Sequence, residues 1–408
     1  MKHLLKTAIT PLALFFAAGW GTNAGAAPLL TITDNLNLYL TGSVEGQYNS
    51  NVLSAPAPAT GQSKSDYILT VTPGLELDYG RNTATTVSVK FQENLLWYLH
   101  NTSLDNHLAN FYLTGSHVQG SLTVDANFSF VQNYTNTPST IVPGVAVSTI
   151  LESYVYNAGT KLHYEISPKF DSDLGFQFTQ TDYQGQVGKA YQNDTNYYVP
   201  ANFYYSYSPK LDLGLAYYLN YSDPSNSSAP VSQGVMRYDN FVGATARIKQ
   251  WEKLTGSVNL GVDLNHVSAS DGVGVTVAPT NQTSLAYGVK LQYDYSPKLS
   301  AFLNGQRNFQ TGAQGQNIQV TSMALSGHYA YSDFVSFDAT ALGWSYSQYI
   351  GTPRADTSYN SGVAVNWTPT SYLTLTAGYS YFINQSNVPF NAASYNINLI
   401  SISAAVRY

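Results

Sequence analysis

A short turn recurs along this chain, and each copy sits between two long stretches in which apolar and polar residues alternate. It reads Ser167-Pro168-Lys169-Phe170, Ser208-Pro209-Lys210-Leu211 and Ser296-Pro297-Lys298-Leu299. Looser versions are Gln250-Trp251-Glu252-Lys253, Tyr331-Ser332-Asp333-Phe334 and Thr368-Pro369-Thr370-Ser371. The copies stand about 35 to 46 residues apart, room for one strand out, a loop and one strand back. Proline suits such a turn because its fixed φ matches the first central position. Repetition of the unit predicts a closed antiparallel barrel.

The stretches between turns have the period of strands. In Leu211 to Tyr221 the odd positions are apolar or aromatic and the even ones small or polar. Leu122 to Phe130, Leu254 to Leu264 and Leu285 to Tyr295 repeat the pattern. Side chains alternate across a strand, so each segment has one apolar and one wet face. The wet face is Gly, Ser, Thr, Asn and Gln with isolated charges, where a soluble surface would carry Lys and Glu. Only 10% of residues are charged, and there are 34 Tyr. That balance suits a wall with lipid outside and water inside. No apolar run past residue 26 reaches the roughly 20 residues of a membrane helix. A membrane crossing must then be made by strands, because only helices and closed barrels satisfy every backbone group in lipid.

The alternation predicts an all-β fold: a transmembrane antiparallel up-and-down β-barrel of about 18 strands, the first at 36–48 and the last at 393–408. Sixteen is the alternative should weak segments around 99–117 fail. Strands at 107–117, 120–132 and 151–167 leave the longest external loop at 133–150. It is apolar over Ile141 to Val147, and we read it as an extension of its flanking strands rather than a lid. Short turns and longer loops alternate strictly, which puts the Ser-Pro-Lys turns on the periplasmic rim. A barrel of this size encloses an aqueous channel.

Lys2 and Lys6, the apolar run Leu12 to Ala18 and the small-x-small Ala24-Gly25-Ala26 predict a secretory signal peptide over 1–26, cleaved from a barrel over 27–408. The net charge of −6 becomes −8 once the two positive charges of Lys2 and Lys6 are removed. An acidic chain without basic clusters argues against nucleic acid as a partner. The absence of cysteine excludes a disulfide framework, a thiolate nucleophile and a Cys-ligated metal. Ile400, Ile402 and Val406 share the face of Tyr408, a terminal aromatic pattern that fits a C-terminal signal read by the barrel-assembly machinery. Tyr204, Tyr205, Tyr207, Tyr331, Tyr349 and Tyr381 are expected in the interfacial girdles.

The segments Tyr48-Asn49-Ser50-Asn51-Val52-Leu53 and Ser65 to Leu75, with the repeated Ser-Pro-Lys hairpins, resemble the beta-barrel porin family of bacterial outer-membrane proteins. The resemblance implies a channel in the cell outer membrane, and some members of that group accompany exopolysaccharide gene sets. The few residues between signal and first strand leave no room for the plug of a TonB-dependent transporter.

No nucleophile motif or metal-ligand spacing stands out, and no cofactor is expected. Asp171-Ser172-Asp173 reads as solvated strand-end charge, and His100 and His107 as a solvated loop pair. The charges predicted to line a pore are Lys90, Asp125, Arg237, Asp239, Arg247, Asp263, Lys290 and Asp294. Charge in a barrel wall must face inward whatever its use, and rings of it tune which solutes pass. The expected function is passive diffusion of small hydrophilic solutes, with outer-membrane lipid as surroundings and a homo-oligomer left open. The alternatives are a conduit exporting a polymer such as exopolysaccharide, and a structural or adhesive surface barrel.

Overall fold

The computed structural model describes residues 27–408 except 55–62, 82, 140–146, 186–192, 224–235, 269, 273–274, 278, 312–316, 352 and 388–393. The predicted signal peptide, 1–26, lies outside the described residues. A short strand, β1 (Leu30–Thr33), folds back on β2 (Leu36–Asn49). The wall continues through β3 (Asp66–Tyr79), β4 (Thr85–Tyr98), β5 (Asn106–Gln119), β6 (Leu122–Ser139), β7 (Val147–Ser167), β8 (Phe170–Tyr183), β9 (Asp194–Ser208), β10 (Leu211–Asp223), β11 (Arg237–Trp251) and β12 (Leu254–Val267). A small hairpin, β13 (Ser270–Gly272) and β14 (Val275–Val277), stands off the wall. The wall then resumes with β15 (Thr280–Ser296), β16 (Leu299–Thr311), β17 (Asn317–Ala330), β18 (Val335–Tyr349), β19 (Ala355–Thr370), β20 (Leu373–Ser386) and β21 (Tyr395–Arg407).

Eighteen of these strands form the wall, each antiparallel to the next. β21 closes on β2 from Thr41↔Arg407 to Asn49↔Leu399. Among the described residues closure pairs every wall strand with both neighbours, the condition lipid imposes on a β structure. The segment around 99–117 does not fail: β5 is a full strand paired with β4 and β6. β6 and β7 pair as far as Ser139↔Val147, so strand extends through most of the predicted 133–150 loop. Residues 140–146 of that loop lie outside the described residues.

The recurrent turn has one construction. The Oγ of Ser167, Ser208 and Ser296 accepts the backbone N–H of Lys169, Lys210 and Lys298, each at 3.3 Å. The turn serines pair directly with Phe170, Leu211 and Leu299, and the register shifts beside each pair. The residue before each serine is Ile166, Tyr207 or Tyr295, and all three are exposed on the outer side. A serine-capped turn with a bulge thus also aims an apolar group at the periplasmic interface. At Gly80 the turn needs φ +85°, where a Cβ would sit 1.8 Å from the Thr85 carbonyl oxygen.

The outer face is a belt of exposed Leu, Val, Ile and aromatic side chains, among them Leu40, Val44, Leu69, Phe91, Leu215, Val242, Leu260, Leu285, Met323 and Ile402. Buried side chains lie on the inner face and at the mouth and include many polar ones, so an apolar exterior surrounds a polar interior, the reverse of a soluble fold. Two predicted girdle residues, Tyr204 and Tyr349, point inward instead. Tyr204 adjoins Tyr205 on one strand, and neighbours on a strand cannot share a face. Tyr349 reaches the carboxylate of Asp356 with its hydroxyl at 3.1 Å.

Candidate functional site

The inner wall gathers the polar chemistry of the molecule. Lys90, Asp125, Arg237, Asp239, Arg247, Asp263, Lys290 and Asp294 all lie on strand positions opposite in phase to the exposed apolar residues, so all eight face inward. They do not form one site. Lys90 stands opposite Glu76 in register. Asp294 accepts from Ser300 Oγ at 2.6 Å and Gln292 Nε2 at 3.0 Å. Lys290 and Asp125 are exposed to the interior.

Arg247 anchors a cluster near the periplasmic rim. Its Nη2 donates to both Asp171 oxygens, at 2.8 and 2.6 Å, and its Nε to Asp212 at 2.8 Å. The guanidinium lies 4.1 Å from the Tyr204 ring centroid. Lys249 pairs with Asp212 at 2.7 Å, and His163 with Asp173 at 2.7 Å. Asp171 and Asp173 are therefore not solvated strand-end charges: the barrel's curvature brings β8, β10 and β11 together at the rim, and Asp171 is buried. Asp212 escaped the sequence reading. Its signal is positional, because the residue directly after the turn is Asp in two copies, Asp171 and Asp212.

A second cluster occupies the extracellular half of β9 to β12. Arg237 pairs with Asp239 at 3.0 Å, and Asp239 also accepts from Asn220 and Asn265. Tyr218 donates its hydroxyl to Asp263 at 3.2 Å. The Phe241 ring stacks on Tyr218 with centroids 4.8 Å apart. It lies over Gly243 and Gly261, where an added Cβ would meet the ring at 2.6 and 2.8 Å. These two glycines exist to let an aromatic ring lie flat against the wall.

Here the wall also overlaps itself. β15 and β16 pair only from Tyr287↔Arg307 downward. Above that level β16 passes inside β15, and its outer face covers the inner face of β15 and β12. Phe309 keeps the outward phase of Gly305 and Leu303, yet it is only 2% exposed. Its backbone lies close to Asp263. Gln319 Nε2 donates to Ser284 Oγ at 2.7 Å, and Asn317 Nδ2 to Asn265 Oδ1 at 2.7 Å. Nothing in the alternation of β15 or β16 signals this lap, because each strand keeps its own period through it.

Opposite, an apolar lobe fills part of the mouth. Val52 and Leu53 fold inward onto Ile68, Leu96 and Leu108, with Leu104 of the 3-10 turn Thr102–Leu104. Asp66 pins it, accepting the backbone N–H groups of His100 at 2.9 Å and Asn101 at 2.7 Å. His100 and His107 are not a pair: His100 contacts Asp66 at 3.1 Å and His107 contacts Glu93 at 3.3 Å. Among the described residues no group of three or more His, Cys, Asp or Glu could hold a metal ion. Ile400, Ile402, Val406 and Tyr408 are exposed on the outer face of the closing strand, and Tyr408 exchanges backbone hydrogen bonds with Leu40.

A closed wall, an apolar outer belt and a polar interior decide the class. The chain is an outer-membrane β-barrel. Solved structures share its fold. The FrpB iron transporter from Neisseria meningitidis, in its apoprotein form, aligns with a TM-score of 0.51 at 8% identity, over 92% of this chain and 82% of that one. The unliganded ferric citrate transporter FecA aligns with a TM-score of 0.50 at 9% identity, over 91% and 78%. OccK9 of Pseudomonas aeruginosa aligns at 0.47 and 9%, over 91% and 98%. At such identities the likeness is one of fold alone. No protein-family model matches the sequence, and no curated protein matches it.

Proposed function

We propose that this barrel is a channel of the outer membrane through which small hydrophilic solutes diffuse passively, and that it belongs with the beta-barrel porins its Tyr48-to-Leu75 segment resembles. One observation carries the reading. Toward the middle of the wall, Thr114, Asn127, Gln177, Gln306 and Lys290 face inward and are exposed. Polar groups at that depth are stable only if water reaches them, since lipid or a dry core would leave them unsatisfied. A structural barrel closed by its own side chains would bury them. The lap at β15–β16 and the mouth lobe narrow the extracellular half of this path, and the Arg247 cluster charges its periplasmic end. The reading needs no catalytic step, metal or cofactor. Ile400, Ile402, Val406 and Tyr408 supply the outward strip suited to the barrel-assembly machinery.

The test is electrical. Purified barrel added to a planar bilayer in KCl should give stepwise, ohmic current. A membrane that stays sealed at all voltages rejects the channel.

A further inference from the structure

The inner wall between β6 and β9 carries a groove of about 300 Å³, near the lower end of the roughly 300–1,000 Å³ typical of small-molecule sites. Its floor is bare backbone. Gly159 of β7 lies under the Asn127 amide, and Gly175 of β8 lies under the Pro200 ring, where an added Cβ would meet Asn127 Oδ1 and Pro200 Cγ, each at 2.8 Å. Pro200 has no N–H to donate. The β8–β9 ladder accordingly breaks between Leu174↔Ala201 and Gln177↔Tyr198.

Four polar side chains ring this floor: Asp125, Asn127, Gln177 and Asn202. Among the described residues, none of the four hydrogen-bonds to another side chain or to the backbone through its side chain. They differ in this from the carboxylates of the Arg247 and Asp239 clusters, which are bound by neighbours. Polar groups held in a glycine-floored recess with no partner in the protein are placed for a partner from outside.

We propose that this groove binds a neutral polyhydroxylated solute, a mono- or disaccharide, during its passage; the proposal rests on the channel reading. The three amides each donate and accept, which matches hydroxyl groups that do both. The Asp125 carboxylate can accept two hydroxyls side by side, and it opposes an anion. Lys161 does not reverse that, because its ammonium lies 3.6 Å from Asp173. Asp173, the other carboxylate of the lining, is held by His163 and Lys161, and the single unpaired carboxylate of Asp125 among amide donors is a poor cation site. The Tyr198 ring and Pro200 supply the apolar surface that a sugar's C–H face packs on.

The probes are sucrose, gluconate and glucosamine, applied to the full barrel in a planar bilayer and read as the fraction of each variant's own open current. Sucrose should block the wild type with half-effect at millimolar concentration, and the two charged sugars at least 5-fold more weakly. Asn127→Leu with Gln177→Leu should weaken the sucrose block at least 10-fold, and Asp125→Ala should weaken it by less. Heat-modifiable gel mobility confirms that each variant is folded; if the double variant is not, Asp125→Ala alone decides. Ohmic steps with no sucrose block, or block unchanged in the variants, leave the channel standing and overturn the groove. If no current steps occur at all, the channel reading fails. Calorimetric titration of the detergent-solubilised barrel with sucrose then decides the groove: saturable heat that the variants lose keeps it, and no heat overturns it.

Discussion

Two stretches of the same inner wall treat polar residues in opposite ways. From β9 to β12, Asp212, Asp239 and Asp263 are buried to 1% exposure or less and are held by Arg247, Asn220, Asn265 and Tyr218. From β6 to β8, Asp125, Asn127 and Gln177 are exposed and, among the described residues, make no side-chain bond to the protein. Both stretches read alike in sequence, as isolated polar residues at alternate positions. The difference lies in what stands across the strands. Where an aromatic or guanidinium covers a glycine or fills the space between carboxylates, the polar groups become part of the frame. Where glycines and a proline hold the wall back, the same residue types are left for solvent and solute. Inward-facing charge is therefore two populations, one bound into the wall and one left exposed to the lumen.

The contrast breaks most visibly at Phe241. Phe241→Ala removes the ring over Gly243 and Gly261 and should cost about 3 kcal/mol of barrel stability. Urea unfolding in lipid vesicles, followed by tryptophan fluorescence, measures it. The open-channel current should rise as the wall recedes. A loss under about 1 kcal/mol would mean that the packed stretch is no more a frame than the groove is.

Arg247 comes next. Arg247→Ala strands the buried Asp171 carboxylate and leaves Asp212 to Lys249 and Ser206, and because the site is partly wetted from the lumen, the cost should be about 2–3 kcal/mol rather than the larger value of a dry pair. Arg247→Lys should recover under half of it, because an ammonium cannot bridge Asp171 and Asp212 with a planar fork. Full recovery by Lys in the same unfolding assay would reduce the cluster to a point charge.

Most of the fold was legible because its determinants are local. Period-two alternation marks each strand, and a serine-capped Pro-Lys turn marks the periplasmic ends. The inward phase of all eight charges follows from the same alternation. Partnership did not follow, because it depends on register summed over several turns. Asp171 and Arg247 meet across two intervening strands, and one residue of slip at any bulge would part them. The lap of β16 inside β15 is still less local, since no residue of either strand changes face. The groove could have been suspected from Gly159, Gly175 and Pro200, three residues that do not favour strands, each inside a clear strand pattern.

The lap allows a smaller effect to be read. Gln319→Ala removes the hydrogen bond to Ser284 and the acceptor of Arg307 Nη2, at 2.7 and 2.8 Å. The expected loss is about 1 kcal/mol. Amide exchange should quicken at 280–286, the part of β15 that β16 does not pair, and not at 287–294, where it does. Uniform protection along β15 in the wild type would remove the lap as a distinct feature.

The smallest effect on stability is expected at Asp125, and it separates the two populations most cleanly. Asp125→Asn keeps size and shape and breaks no bond that the folded wall makes, so the unfolding free energy should stay within about 0.5 kcal/mol of the wild type. The same substitution deletes a charge exposed to the lumen. The reversal potential in a KCl gradient should therefore move toward anion preference, by an amount that shrinks as salt screens the remaining charges. The matching change in the packed stretch, Asp212→Asn, should do the opposite. It should destabilise the barrel, because Arg247 and Lys249 lose the charge that holds them, and its effect on selectivity should reflect freed cations rather than a lost anion. If Asp125→Asn destabilises while leaving the reversal potential unmoved, Asp125 belongs to the frame, and the division of the wall into frame and contact residues is wrong at the position where it is most exposed to test.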